Sequence, residues 1–476
     1  MKQKIILLAS VFILAIIMSG AVSATPQPDQ IYVSPDGDDN NDGVTPETAV
    51  QTINVGINKV ANNGLVKLGP GTYNKTINGD SKDVDIKISK NLTLQGAGKG
   101  STIIDAQGNS QIFNIDYDLT VLITGITFKN GKLDNSGGAI SSDATLTVKD
   151  CEFINNQAVN DGGGAIFTHT TLNVINCVFT NNKAESGGAI FNKGGDLTVT
   201  GSTFSGNQAS TDPDNYKGGG AIFNYYGTYQ IIGNTFLNNV GSAIKLWNPK
   251  ETNSEEFEEK LMDNTNNIPA NKINFNRIVG NTPFGIYQVL DLETNSRIVD
   301  AKYNWWGSNN PDFQNLVSGN IDYTPWLYMK FNSNSIKVKK GDNVPLIASF
   351  NYLYDGKTVT DLDTTLGHIP DGTPVLFTTN LGEVGSKSVT KYTINGIATA
   401  TLRATESGNA LVGAATDSQA LSTTIVIAGA ATVNNQSTTH TANTANTIAM
   451  QTTGFPIAAL LLAILMIAGG IIGSKK

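Results

Sequence analysis

Charge, histidine and cysteine are scarce in this 476-residue chain. Charged residues make up only 15% of it, and 32 basic residues stand against 40 acidic ones, a formal net charge of −8. No basic block breaks that balance, which excludes nucleic acid as a partner, because a phosphate backbone needs clustered Lys and Arg. The three histidines, His169, His368 and His440, sit in no Gly-His-Gly or similar phrase. His169 follows Phe167-Thr168 at a strand end and reads as an exposed or capping group. The sortase signal Leu-Pro-x-Thr-Gly is absent. Glycine, at 49 residues, and asparagine are what is plentiful.

The stretch from Gly137 to Ile244 says one thing five times. Gly137-Gly138-Ala139-Ile140 returns at Gly163, Gly187 and Gly219, and in worn form as Gly241-Ser242-Ala243-Ile244. Between the copies sits an aromatic followed by asparagine: Phe128 with Asn130, Phe153 with Asn156, Phe179 with Asn182, Phe204 with Asn207, and Phe236 with Asn239. The alanines lie 26, 24, 32 and 22 residues apart and the phenylalanines 25, 26, 25 and 32, a period that marks a solenoid. One unit reads Leu146-x-Val148-x-x-Cys151-x-Phe153-x-x-Asn156, with apolar and polar residues alternating in pieces too short for a helix. The Leu-x-x-Leu-x-Leu-x-x-Asn phrase of a leucine-rich repeat is missing. Asp150, Asn176, Gly201 and Gly233 interrupt at one place in successive units, as corner residues do. Three short strands and three turns per unit describe a rung of a parallel β-helix, with rungs about 4.8 Å apart and like residues in columns. An inward asparagine then bonds its neighbours above and below, and paired glycines permit positive φ or close contact at a corner.

The alternation of Gly-Gly-Ala-Ile with Phe-x-x-Asn resembles the repeat of chlamydial polymorphic membrane proteins. With Asn304-Trp305-Trp306-Gly307-Ser308-Asn309-Asn310-Pro311 added, it more closely resembles the adhesin-like surface proteins of methanogenic archaea. The phrase Leu65-Val66-Lys67-Leu68-Gly69-Pro70-Gly71-Thr72-Tyr73 resembles the opening of pectin-lyase-like β-helices. Gly372-Thr373-Pro374-Val375-Leu376-Phe377 and Asn395-Gly396-Ile397-Ala398-Thr399-Ala400 look like the immunoglobulin-like repeats of invasin and intimin. These resemblances imply an all-β protein: a right-handed parallel β-helix of the pectin-lyase kind, then an immunoglobulin-like sandwich.

The expected layout is a secretory signal over 1–24, from Met1-Lys2-Gln3-Lys4, an apolar run and Val22-Ser23-Ala24. A capping segment over 25–64 follows, in which Thr45 caps a helix carrying Val50, Ile53, Ile57 and Val60 on one face, laid over the open end of the solenoid. The β-helix runs over 65–330, broken after Trp247 by an acidic insertion from Glu251 to Asp263. Trp305, Trp306, Tyr323, Trp326 and Tyr328 read as a bulky cap on its last rung. The sandwich occupies 331–428, a Ser/Thr/Asn/Ala-rich stem 429–454, a transmembrane anchor 455–473 and a cytoplasmic tail 474–476, whose two lysines fit the positive-inside rule.

Two sites invite chemistry. Asp36, Asp38, Asn40, Asp42 and Glu47 stand at positions 1, 3, 5, 7 and 12 of an EF-hand-like loop, making Ca²⁺ the one cofactor to weigh, although Asn41 holds the place of the required glycine and a strand precedes it. Cys151 and Cys177 share a slot in adjacent rungs, close enough for a disulfide, yet Ser202 and Asn234 fill that slot next. No catalytic residue is assigned: neither Asn-Thr-Asp with Asp-Asp nor Arg-x-Pro-x-x-Arg, the phrases of polygalacturonases and pectate lyases, occurs. The expectation is a cell-surface, membrane-anchored adhesin-like protein whose partners are envelope glycans or surface proteins. A polysaccharide lyase or hydrolase on the same fold is the alternative.

Overall fold

The computed structural model describes residues 26–429, apart from 75, 78–79, 82, 213–216, 248–270 and 291–297. The expected signal, acidic insertion, stem, span and tail lie outside those residues. Among the described residues no helix is long and apolar enough to cross a membrane.

Three parallel sheets of eleven, eight and nine strands wrap a single core. The registers obey the repeat. In the first sheet Leu146, Leu172 and Leu197 stand in line, as do Val148, Val174 and Val199. In the second, Phe128, Phe153, Phe179, Phe204 and Phe236 pair in turn. Their rings stack at 4.8, 4.8, 4.6 and 5.0 Å, within 10° of parallel. In the third, Ile140, Ile166, Ile190, Ile222 and Ile244 form the inner column. All of these phenylalanines and isoleucines are fully buried. Each ring contributes roughly 0.5–1.5 kcal/mol of stacking beyond its burial, so the fold is enforced rung by rung.

The corner after the first sheet is left-handed throughout: Asp150, Asn176, Gly201 and Gly233 have φ of 51, 52, 59 and 68°, the region that admits Gly, Asn and Asp most readily. The two glycines of Gly-Gly-Ala-Ile have separate jobs. Gly163 and Gly187 take φ of 71 and 58°, while a Cβ on Gly164 or Gly188 would collide with the carbonyl of Gly188 or Gly220 in the next rung.

The N-terminal cap departs from expectation. Thr45 caps only a short 3-10 turn, Pro46–Thr48, and the α-helix is confined to Ile53–Lys59. Between them Val50 bridges to Val33, while the Asp39 carboxylate accepts from the amides of Gln51 and Thr52 at 2.9 and 2.8 Å. Those contacts hold the chain extended where a continuous helix was expected. Val50, Ile53, Ile57 and Val60 are nonetheless buried against the solenoid's end. Tyr73, in the opening rungs, donates its hydroxyl to the carbonyls of Val33 and Gly69 at 3.1 and 3.0 Å, and burial pushes its phenol well up. A phenol kept protonated in the fold contributes stability below its unfolded value of about 10, and that stability is lost as the pH climbs above it. Denaturant unfolding between about pH 9 and pH 11 is expected to show falling stability, and Tyr73→Phe to flatten the fall.

After the last rung the chain builds a small sheet of Trp326–Leu327, Tyr352–Tyr354 and Val359–Asp361 and two larger sheets that pack together. One holds Lys330–Ser333, Asn343–Ser349 and Ile397–Arg403; the other holds Lys337–Lys339, Pro374–Thr379, Ser388–Tyr392, Gly408–Thr416 and Gln419–Ala428. Val344, Leu346, Val375, Phe377, Val412 and Ile425 fill the space between. Of the expected aromatic cap, Trp306, Tyr323 and Trp326 gather round Phe313, with Phe313 stacked on Tyr323 at 3.8 Å, whereas Trp305 turns into the sandwich core, edge-on to Phe350 at 5.0 Å, and Tyr328 packs on Tyr354.

The sandwich grips the end of the solenoid. Asp417, at a hairpin tip, accepts from Arg277 Nε at 3.0 Å and from Trp305 Nε1 at 2.7 Å, and pairs with the guanidinium a second time through Nη2. Phe275 and Tyr303 occupy the left-handed corner of the last rungs with φ of 59 and 61°, stack at 5.3 Å, and press against the sandwich, where Phe275 meets Gly367. A left-handed aromatic costs roughly 1–2 kcal/mol, here offset by burial at the junction.

Candidate functional site: an aromatic face on the third sheet

Residues alternate in and out along every strand, so the middle residue of the third-sheet strands should face water. Early rungs comply with Asn114 and Ser141. The following rungs place Phe167, Phe191, Phe223, Lys245 and Tyr287 in that outer column. Two residues further on lie His169, Tyr225 and Trp247. Together they make a second apolar cluster outside the main core. Phe191 stacks on Phe223 at 5.0 Å, Phe167 meets Phe191 edge-on at 5.5 Å, and Tyr225 meets Trp247 at 5.1 Å and Tyr226 at 4.2 Å. Loops leading into the Gly-Gly pairs pass over this column, for a Cβ on Gly162 would strike the Phe191 ring. Tyr225, Tyr226 and Tyr287 remain partly accessible.

Lys245 is the chemical centre of the face. Its side chain is 1% exposed, and its ammonium lies 5.3 Å from the ring centres of both Phe223 and Tyr287. It also donates to the Lys217 carbonyl. A desolvated cation between two rings gains about 2 kcal/mol from their quadrupoles. At the neighbouring edge the His169 ring bonds Asp143 at 2.8 Å and stands edge-on to Phe167 at 4.7 Å. The partly open rings of Tyr225, Tyr226 and Tyr287, with their hydroxyls, suit the flat apolar face of a sugar or an aromatic peptide side chain, while the buried Lys245 holds the rings beneath in place. Strand alternation alone hid this face; the recurrence of Phe straight after Gly-Gly-Ala-Ile was the signal that could have found it.

The sites expected from sequence fare differently. Asp36, Asp38, Asn40, Asp42 and Glu47 are not gathered into one ligand set: among the described residues no three His, Cys, Asp or Glu side chains converge to hold a metal. Asp38 accepts from Asn40, and Asp42 accepts from the Val44 amide and the Thr48 hydroxyl, so these carboxylates fasten their own loop. Asp42 and Glu47 are both held below the usual carboxylate range, Asp42 chiefly by the Thr48 hydroxyl and Glu47 by its own backbone amide.

The disulfide that rung spacing allows between Cys151 and Cys177 is not formed in the structure. Cys151 and Cys177 are buried free thiols in adjacent rungs. Each donates to a carbonyl two residues back, Lys149 at 3.2 Å and Ile175 at 3.3 Å, and Ser202 does the same to Thr200 at 3.0 Å. Burial pushes the Cys177 thiol well above its ordinary value. Beyond them the slot becomes an asparagine ladder: the Asn234 side chain bonds Asn276, and that of Asn276 bonds Asn304. Thiol titration of denatured, unreduced protein is expected to find two thiols, and Cys177→Ser to change stability by less than about 1 kcal/mol.

Rungs in register, asparagine ladders and a closing sandwich define a parallel β-helix protein with a two-sheet appendage. Residues 150–169, 176–193 and 201–225 match the Chlamydia polymorphic membrane protein repeat, so these rungs are similar to that repeat. Among curated proteins nothing matches. Two solved structures are similar over short stretches. One is a C-terminal 282-residue fragment of intimin in complex with the intimin-binding domain of the translocated intimin receptor, 19% identical with a TM-score of 0.16. The other is the D0-D1 domain of intimin, 20% identical with a TM-score of 0.15. The matches cover 21% and 20% of this chain and 32% and 43% of theirs.

Proposed function

We propose that this is an adhesin-like cell-surface protein whose β-helix contacts envelope glycans or surface proteins through the aromatic face of its third sheet. The observation that carries the reading is the accessible rim of that face, where Tyr225, Tyr226 and Tyr287 stand partly exposed beside the buried column of Phe167, Phe191, Phe223 and Lys245. The polymorphic membrane protein repeat agrees with display at a surface. So do the apolar run at 455–473 before Lys475 and Lys476 and the signal-like start, which would anchor the chain with its bulk outside.

The test is to pass the full chain over a glycan array and over acidic polysaccharides, comparing it with a Tyr225→Ala/Tyr287→Ala variant. Retention is expected to fall about three- to tenfold in the variant, the size of one or two lost ring contacts. Equal retention by both proteins removes the face from the reading. Shortened or unsaturated products would instead assign a carbohydrate-active enzyme.

A further inference from the structure

One side of the sandwich is left open, because its two sheets end there in edge strands with no ladder between them. Ser388–Tyr392 is the outer edge of the five-stranded sheet and Ile397–Arg403 the outer edge of the three-stranded one. A tight turn at Asn395-Gly396 joins them, with Ile394 bridged to Ile397. From there they splay apart. At the far end of Ile397–Arg403 the edge closes again, where Glu383 exchanges both backbone bonds with Arg403. Between those two closures the ladder fixes which groups are left over. The Phe350 amide donates to Gly396, so by antiparallel alternation Ala398, Ala400 and Leu402 bond the Asn343–Ser349 strand. The N–H and C=O groups of Thr399 and Thr401 therefore point the other way, into the gap, and no hydrogen-bond partner for them is found among the described residues.

The space they face is a groove of about 580 Å³, walled by Val384, Val389 and Ile347 and edged by Lys391. Val389 and Lys391 stand opposite Phe377 and Val375 in their ladder, so they lean toward the facing sheet yet overhang its edge. The groove thus offers two backbone donor–acceptor pairs, an apolar wall and one cation.

We propose that this groove binds an extended, acidic segment of a partner protein by strand addition to Ile397–Arg403. Main-chain bonds to Thr399 and Thr401 supply affinity, Val389 and Ile347 take an apolar side chain, and the Lys391 ammonium selects a carboxylate. Charge decides against a second copy of this chain: each outer strand of the sandwich, Lys330–Ser333, Lys337–Lys339, Ser388–Tyr392 and Ile397–Arg403, carries a lysine or arginine that would be brought towards Lys391. This site is separate from the aromatic face and stands or falls independently of it.

The experiment uses the full chain, with an alternating valine–glutamate peptide and its valine–lysine counterpart as probes, and reads amide hydrogen exchange at Thr399 and Thr401. The glutamate peptide is expected to slow exchange at both amides about tenfold or more, a gain of about 1.4 kcal/mol. The lysine peptide should do so roughly two- to fivefold less well, the worth of an exposed ion pair. Lys391→Glu should reverse that preference. Thr399→Pro should abolish the protection at Thr401, because the lost N–H belongs to the open edge and not to the Asn343–Ser349 ladder. Should Thr399→Pro disturb the sandwich, the Lys391→Glu reversal still decides. Protection equal for both peptides, absent with both, or rising with protein concentration without peptide overturns the proposal, the last by assigning the groove to a second copy.

Discussion

Replacing Asn207 by alanine is expected to destabilise the β-helix by about 3–5 kcal/mol, more than most single core truncations of its size. The Asn207 side-chain oxygen accepts from both the backbone amide and the side-chain amide of Asn182, at 3.0 and 2.9 Å. Its own amide donates to the Phe179 carbonyl and to Asn239, each at 3.0 Å. Every one of these groups is sealed from water. Alanine leaves the Asn182 N–H with no acceptor, an orphaned donor costing about 1–3 kcal/mol, and opens a hole beside it. Asn207→Asp should be no better. It keeps the acceptor for Asn182 but sets a carboxylate against the oxygens of Phe179 and Asn239. The control is Asn181→Gly, one residue before the ladder: Asn181 has φ of 55° and Gly206 fills the same place in the next rung, so stability should move by less than about 1 kcal/mol. Thermal or denaturant unfolding of the three variants checks the order. An Asn207→Ala protein as stable as Asn181→Gly would mean the ladder contributes nothing.

Asp417→Ala should be comparably severe, for a different reason. The carboxylate is the shared partner of Arg277 and of the Trp305 indole, and the Arg277 side chain is only 9% exposed. Removing it strands a buried cation, a loss of about 3–5 kcal/mol, and frees the hairpin tip whose Ser418 bonds the Gly307 carbonyl. Asp417 also has φ of 51°, which asparagine tolerates better than alanine. Asp417→Asn should therefore lose less, and adding Arg277→Met should recover most of what remains, since an apolar side chain needs no counter-charge. Hydrogen exchange will localise the effect: amides of the last rungs and the 417–419 turn should lose protection, while those around Phe153 keep theirs.

The columns were legible in the sequence because parallel, in-register rungs impose one set of constraints many times. Phe153, Phe179 and Phe204 each face the same ring above and below, and Asn182 and Asn207 the same amide, so the repeat advertises the contact. Corners were legible for a similar reason, since few residues tolerate φ near 55°. What escaped lay in contacts that no period encodes. The outer phenylalanines were hidden because alternation assigns them to solvent, and the loops that cover them vary in length. The helix expected from Thr45 is cut short by Asp39, whose bonds to Gln51 and Thr52 come from a loop folded back across the cap. For Cys151 and Cys177 rung spacing allowed a disulfide, but each thiol turns to a carbonyl of its own rung. The calcium-like spacing of Asp36 to Glu47 was a linear pattern, whereas Asp38 and Asp42 are spent on nearby turns. Of the sandwich strands, Lys330–Ser333 and Ser388–Tyr392 went unread because they are short and polar.

The asparagine ladders carry a further consequence for how such a chain changes over time. Each rung offers an oxygen to the rung before it and an amide to the rung after it, so a duplicated coil spliced between two others presents both halves of every bond it interrupts. Gene segments encoding one full turn can therefore be gained or dropped without rewriting their neighbours. The terminal turns differ: Phe275, Tyr303 and Asp417 are matched to a single seam, so whole turns can be gained or dropped only on its N-terminal side.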